Sequence, residues 1–180
     1  DRARSGYVNL LPLSGKHSKV PGHDKLMVDA RRAFLEKGHY AFLSDAFNDM
    51  CGGLLRSPCR VEDILDVGCG EGYYTGRLSA FLEAEKMPAH ITGIDISKLA
   101  LDKAGKRCRG QRITFAVASA FHLPVADRSC RLVTNLFAPY CGEEIRRVLH
   151  PAGYMVLVIP GEEHLWELKQ AAYDQPYKNE

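Results

Sequence analysis

What the 180-residue sequence lacks already excludes several classes of protein. No stretch of eighteen apolar residues occurs, so no membrane-spanning helix is predicted, and the first residues show no basic-then-apolar leader pattern. A cytoplasmic protein is therefore expected. The six cysteines, at positions 51, 59, 69, 108, 130 and 141, form no Cys-x-x-Cys pair and have no histidine at finger-like spacing. Reduced thiols, and no metal site within this chain, are the expectation. The net charge of +2 is too small to announce a nucleic-acid partner by itself. The basic runs at Lys16 to Lys19, Arg31-Arg32, Arg107 to Arg112 and Arg146-Arg147 leave RNA undecided. No internal repeat or low-complexity tract is visible.

What is present is enough for one sizeable core: 46% apolar and 26% charged residues over a length typical of a single domain. Residues 1–23, with Pro12, Gly15, Pro21 and Gly22, read as an extended lead-in whose Val8, Leu10, Leu11 and Leu13 can dock on the body. A helix is predicted from an Asp24 cap to Gly38, and a second over Tyr40 to Met50, ended by Cys51-Gly52-Gly53. Alternation then predicts strands at 63–67, 91–96, 113–118, 131–137 and 154–159. Helices are predicted between them at 74–85, 98–106 and 143–149, and a last one from about Glu163 to Tyr173. Strands separated by helical crossovers mean a parallel sheet, hence a doubly wound α/β fold of five strands with two helices ahead of them.

The chemistry concentrates in ILDVGCGEGYYTGRL, Ile64 to Leu78. Gly68, Gly70 and Gly72 form a strand-to-helix turn, where glycine permits positive φ and the helix start offers unpaired N–H groups. Their G-x-G-x-G spacing is not the G-x-G-x-x-G that seats a pyrophosphate. An acid, Asp66, precedes them, and an anion site would not want it there. A cofactor with an ammonium group would, and S-adenosyl-L-methionine carries one and has no phosphate. Asp95, closing the next strand beside Ile96, stands where a carboxylate can accept both ribose hydroxyls. Each acid also has a plainer explanation: Asp66 as a turn cap, Asp95 as a helix cap shared with Ser97. Glu71 is either a contact to the cofactor's amino-acid end or a solvated first-turn acid. Ala118-Ser119-Ala120 lie where the adenine edge is held, while Phe121 and His122 either reach the pocket or cover the sheet edge. In TNLFAPY, Asn135 and Pro139-Tyr140 echo the turn that holds a planar nitrogen in amino-methylating enzymes, with the prolines out of register.

SGYVNLLP, ARRAFLEKGHY, LDVGCGEGYYT, GIDISKLA and IPGEEHLWELK together resemble the bacterial 23S rRNA (guanine-N1)-methyltransferases, which act on a hairpin loop near the macrolide and tylosin binding region. The resemblance covers nearly the whole chain. It implies a Rossmann-like class I S-adenosyl-L-methionine-dependent methyltransferase domain at 24–180, a 23S ribosomal RNA partner, no membrane association, and a homodimer as an open alternative. It further implies that Tyr40 and His164, otherwise readable as a core aromatic and a helix-start histidine, lie against the cofactor with Gly70 and Glu71. The family's zinc ribbon is expected ahead of Asp1 and its antiparallel C-terminal hairpin after Glu180, so the sequence reads as a piece of a longer chain. Removal of the N1 proton calls for a base. His164, His122 and Asp127 are candidates by location, with Asn135 and Phe137 beside the transferring group. A small-molecule methyltransferase, a cofactor- or RNA-binding protein without catalysis, and a nicotinamide enzyme remain as alternatives.

Overall fold

The computed structural model describes residues 2–11, 25–55, 62–87 and 89–179. Asp24, Leu13, Lys16, Lys19 and Cys59, singled out in the sequence, lie outside them. The described residues form β1 (Val8–Asn9), α1 (Lys25–Glu36), α2 (Ala41–Leu54), β2 (Glu62–Val67), α3 (Tyr73–Ala84) and β3 (Ala89–Asp95). There follow α4 (Lys98–Arg107), β4 (Ile113–Val117), β5 (Cys130–Leu136), α5 (Gly142–Val148), β6 (Leu149–Val158) and α6 (Trp166–Ala172).

All the strands run parallel, in the order β1-β4-β3-β2-β5-β6. Alternate side chains of a strand point to opposite faces, so both faces of such a sheet must be covered. Ile64, Ile91, Leu132 and Leu136 pack on one face against Phe47, Leu78 and Leu82 of α2 and α3. On the same side Phe115 and Val117 meet Leu101 and Ala104 of α4. Leu65, Val67, Ile94 and Val133 turn to the other face, against Ile145 and Val148 of α5. The chain leaves β2 toward β3 on one side and reaches β5 on the other, and a crevice opens where that order reverses, at the carboxyl ends of the strands.

Four sequence expectations change here. A sixth strand exists: Val8 and Asn9 pair with Ala116 and Val117, and two residues are too few to show a period. Second, α2 runs through Cys51-Gly52-Gly53 to Leu54. The bare Gly52 lets the Phe81 ring of α3 approach, since a Cβ there would stand 2.8 Å from Phe81 Cε1. Tertiary packing thus overrides the helix-breaking tendency of glycine. Third, β6 begins at Leu149, with a register shift against Cys130 and Leu132 that absorbs Pro151-Ala152-Gly153 as a bulge. Finally, α6 begins only at Trp166, because Leu165 adopts a left-handed φ of 60° and the preceding residues form a turn closed by His164 N–H to the Gly161 carbonyl.

Candidate functional site

The turn after β2 is built almost entirely from its own neighbours. Gly68, Gly70 and Gly72 have φ of 78°, 55° and 79°, a left-handed geometry that side chains with a Cβ resist. The amides of Gly68 and Cys69 both donate to the Ile94 carbonyl, at 2.8 and 2.9 Å, which ties the turn to the end of β3. The Gly70 amide donates to Asp95 Oδ2 at 2.9 Å, while Asp95 Oδ1 accepts from the Ser97 amide at 2.8 Å. Ser97 in turn caps α4 through the Ala100 amide. Asp95 therefore fastens two loops, and each of its oxygens keeps lone-pair capacity for a hydroxyl donor.

Beneath the turn, Asp66 is buried, its Oδ2 accepting from Thr75 Oγ1 at 2.6 Å and its Oδ1 from Thr134 Oγ1 at 2.9 Å. Thr134 stands directly opposite it on β5. Burial pushes the Asp66 carboxyl up to about 6, against the two hydroxyl donors that favour its charge. Glu71 is 3% exposed. Its Oε2 is held by Nε and Nη2 of Arg107 at 2.9 and 2.7 Å, and its Oε1 has no hydrogen-bond partner among the described residues. Burial holds the Glu71 carboxyl above its ordinary value, and the attraction of Arg107 and Arg32 reduces that rise without cancelling it.

Above the turn lies a cavity of about 740 Å3. Among the residues named in advance it is lined by Tyr40, Gly68, Gly70, Glu71, Asp95, Ile96, Ser119, Phe137 and His164. Asp66, Gly72 and Asn135 are absent from its lining. Gly72 instead starts α3, with Ala104 of α4 only 3.0 Å from where its Cβ would be. Asn135 is fully buried and donates from Nδ2 to the Val67 carbonyl at 2.9 Å, so it braces the loop instead of facing a ligand. Phe121 lines the cavity and His122 does not. Asp127 is exposed and accepts from Arg147 Nη1 at 2.7 Å, away from the cavity, which removes it as a base.

The mouth is aromatic. Tyr40 Oη and His164 Nε2 are 2.8 Å apart, joining the start of α2 to the turn after β6 across 124 residues of sequence. Phe137, left-handed with φ of 56°, stacks on the His164 ring at 6.1 Å and meets Tyr40 edge-on at 6.4 Å. Non-glycine residues held at positive φ store backbone strain, which concentrates where a side chain must be aimed. Sequence reasoning missed Arg31, Phe34 and Leu35 of α1, which form another wall. The period of α1 marks these residues as a helix face but gives no sign that the face covers a cavity. Among the described residues, no group of His, Cys, Asp or Glu could hold a metal ion, and no helix is long and apolar enough to cross a membrane.

The donors and acceptors fit S-adenosyl-L-methionine. Asp95 can take a diol, Glu71 Oε1 is buried without a hydrogen-bond partner among the described residues, and the cavity lies within the 300–1,000 Å3 of small-molecule sites.

Comparison with known proteins bears on the same region. Residues 64–153, half of the chain, match the family described as "Methyltransferase domain". A 23S rRNA (guanine(748)-N(1))-methyltransferase of Streptomyces fradiae is 35% identical over 95% of this chain and 58% of its own. A Bacillus subtilis protein provisionally named a 23S rRNA (guanine-N(1)-)-methyltransferase is 34% identical over 98% of this chain and 60% of its own. The chain thus spans about 58% to 60% of the length of these relatives. Among solved structures, a Methanococcus maripaludis protein provisionally named an S-adenosyl-L-methionine-dependent methyltransferase superposes with a TM-score of 0.61 at 17% identity, covering 86% of this chain and 72% of its own. With the turn, the parallel sheet and these matches in agreement, the chain belongs to the methyltransferase domain family and has the class I S-adenosyl-L-methionine-dependent fold.

Proposed function

We propose that this protein methylates N1 of a guanine in a hairpin loop of 23S ribosomal RNA, in the cytoplasm, with S-adenosyl-L-methionine as methyl source. The observation that carries the proposal is the aromatic mouth of Tyr40, Phe137 and His164 over a cavity floored by an acid-bearing glycine turn. The similarity to relatives named for that activity supports the choice of substrate. A mouth of rings suits a planar base drawn from an unpaired loop, where extrusion costs less than from a duplex.

When bound, the cofactor supplies an electrophilic methyl group. The chain's own residues then have three tasks. Asp95 accepts from the ribose hydroxyls while its bond to the Gly70 amide holds the turn in place. Phe137 stacks on the base, and Asn135 fixes the loop behind it through the Val67 carbonyl. His164, oriented by Tyr40, takes the proton that leaves guanine N1, so the nitrogen lone pair becomes available as the methyl group arrives. Alignment in a water-poor site is the larger share of such catalysis, and a positioned base adds roughly 10²–10⁴-fold.

Mass analysis of 23S rRNA from a strain lacking the gene is the test. One guanine losing its N1 methyl group is expected, and an unchanged methylation pattern would sink the proposal. Calorimetry with S-adenosylhomocysteine against NAD separately checks the cofactor: tight binding of NAD alone would exclude it.

A further inference from the structure

Three acids surround the glycine turn, and their hydrogen bonds distinguish them. Both oxygens of Asp66 are taken by threonine hydroxyls, and the residue does not line the cavity. Both oxygens of Asp95 already accept a backbone amide. Glu71 lines the cavity and has one oxygen held twice by Arg107 and the other buried without a partner among the described residues. Arg107 is itself fixed, its guanidinium 5.7 Å from the Tyr73 ring centre and 3.1 Å from Glu36 Oε1 at the end of α1.

We propose that Arg107 is a positioning residue: it holds Glu71 ionised and oriented beneath the turn, so that Glu71, instead of Asp66, answers the positive amino-acid end of the cofactor. This rests on the S-adenosyl-L-methionine reading above. A carboxylate this buried, left alone, takes up a proton instead of keeping its charge, and a neutral acid offers a cation little. Arg107 opposes that loss of charge, and its two-point grip on Oε2 leaves the buried Oε1 without a partner among the described residues. The groups that face Glu71 are Arg107 and Cys108 from α4 and Arg32 and Glu36 from α1. Asp66, titrating near 6, lies under the same turn and is common to every variant below.

The test is calorimetric titration of the wild type, Arg107→Gln, Arg107→Lys and Glu71→Gln from pH 5 to 7.5, a range in which an α-ammonium group stays largely protonated. Two ligands are compared: S-adenosyl-L-methionine, and 5′-methylthioadenosine, which keeps the nucleoside and sulfur but has no amino-acid end. Affinity for the first should fall on the acid side, by about tenfold per pH unit once Glu71 takes up its proton. Arg107→Gln should move that fall upward by about one pH unit or more, and Arg107→Lys by less. Glu71→Gln should bind the same ligand weakly at every pH, with no further loss when combined with Arg107→Gln. Methylthioadenosine should bind all four proteins alike, which also reports that they are folded. If Arg107→Gln weakens both ligands equally with no change in pH dependence, or alters neither, Arg107 merely shapes the turn and the proposal is overturned. A wild type that binds methylthioadenosine but not S-adenosyl-L-methionine would remove the cofactor reading, and this inference with it.

Discussion

The floor and the mouth of the cavity are held together in different ways. On the floor, Asp66 and Asp95 have all four carboxylate oxygens engaged: by Thr75 of α3, Thr134 of β5, Gly70 of the turn and Ser97 at the start of α4. At the mouth, Tyr40, Phe137 and His164 come from three distant segments and meet through one hydrogen bond and ring contacts, half-exposed. The floor is thus part of the folding core, and its integrity and the protein's stability are one quantity. The mouth, with fewer buried bonds, should tolerate change at a smaller loss of stability.

Substitutions should separate the two, and the largest effect belongs to the floor. Gly68→Ala places a Cβ 2.3 Å from that of Ala138 on a left-handed backbone, so urea denaturation should show a loss of about 2–5 kcal/mol and cofactor binding should disappear. A variant as stable as the wild type would mean that the loop after β5 yields, and the floor is softer than argued.

Next in size is a pH effect. Asp66 titrates at about 6 in the folded protein, above an unfolded value near 3.9. Between roughly pH 4 and 6 the native state therefore binds more protons than the unfolded state. Stability contributed by this group falls as pH rises through that window, by up to about 3 kcal/mol, and is level above it. Comparing urea midpoints of the wild type and Asp66→Asn from pH 4 to 7 isolates the term; identical slopes would show that Asp66 is not its source.

Tyr40→Phe tests the mouth. Both partners of its hydrogen bond are half-buried and water can replace the lost hydroxyl, so stability should drop by no more than about 1 kcal/mol. Affinity for S-adenosylhomocysteine, read by calorimetry, should nevertheless fall several-fold. A large loss of stability would place Tyr40 with the floor. Smallest of all, Arg32→Gln removes an exposed i,i+4 pair with Glu36, and its effect on the thermal midpoint should correspond to less than about 0.5 kcal/mol.

The same contrast explains what could be read from the residues alone. The glycine turn is a local structure in which each atom's partner lies within a strand or a helix of it, so spacing and residue type were enough to find it. They pointed to Asp66 for the ammonium contact, and sequence does not show that Thr75 and Thr134 converge on that acid from α3 and β5 and engage both of its oxygens. Tyr40 and His164 became visible only through resemblance to a family, since no spacing links residues 124 positions apart. Arg107 sits in the last turn of α4, where a basic residue is ordinary, and only the fold brings it to Glu71. Gly52-Gly53 misled because a glycine pair is a helix stop until an aromatic ring such as Phe81 needs the space.

A detail of α4 bears on one edge of the sheet. A Cβ at Gly105 would stand 2.1 Å from the Ser5 carbonyl oxygen, so the N-terminal stretch crosses the helix backbone against backbone. That crossing delivers Val8 and Asn9 to the rim of β4, where they occupy hydrogen-bonding groups that would otherwise be open to a foreign strand. The shortest of the described strands thereby acts as a stopper against sheet growth at that edge, seated by the absence of one methyl group.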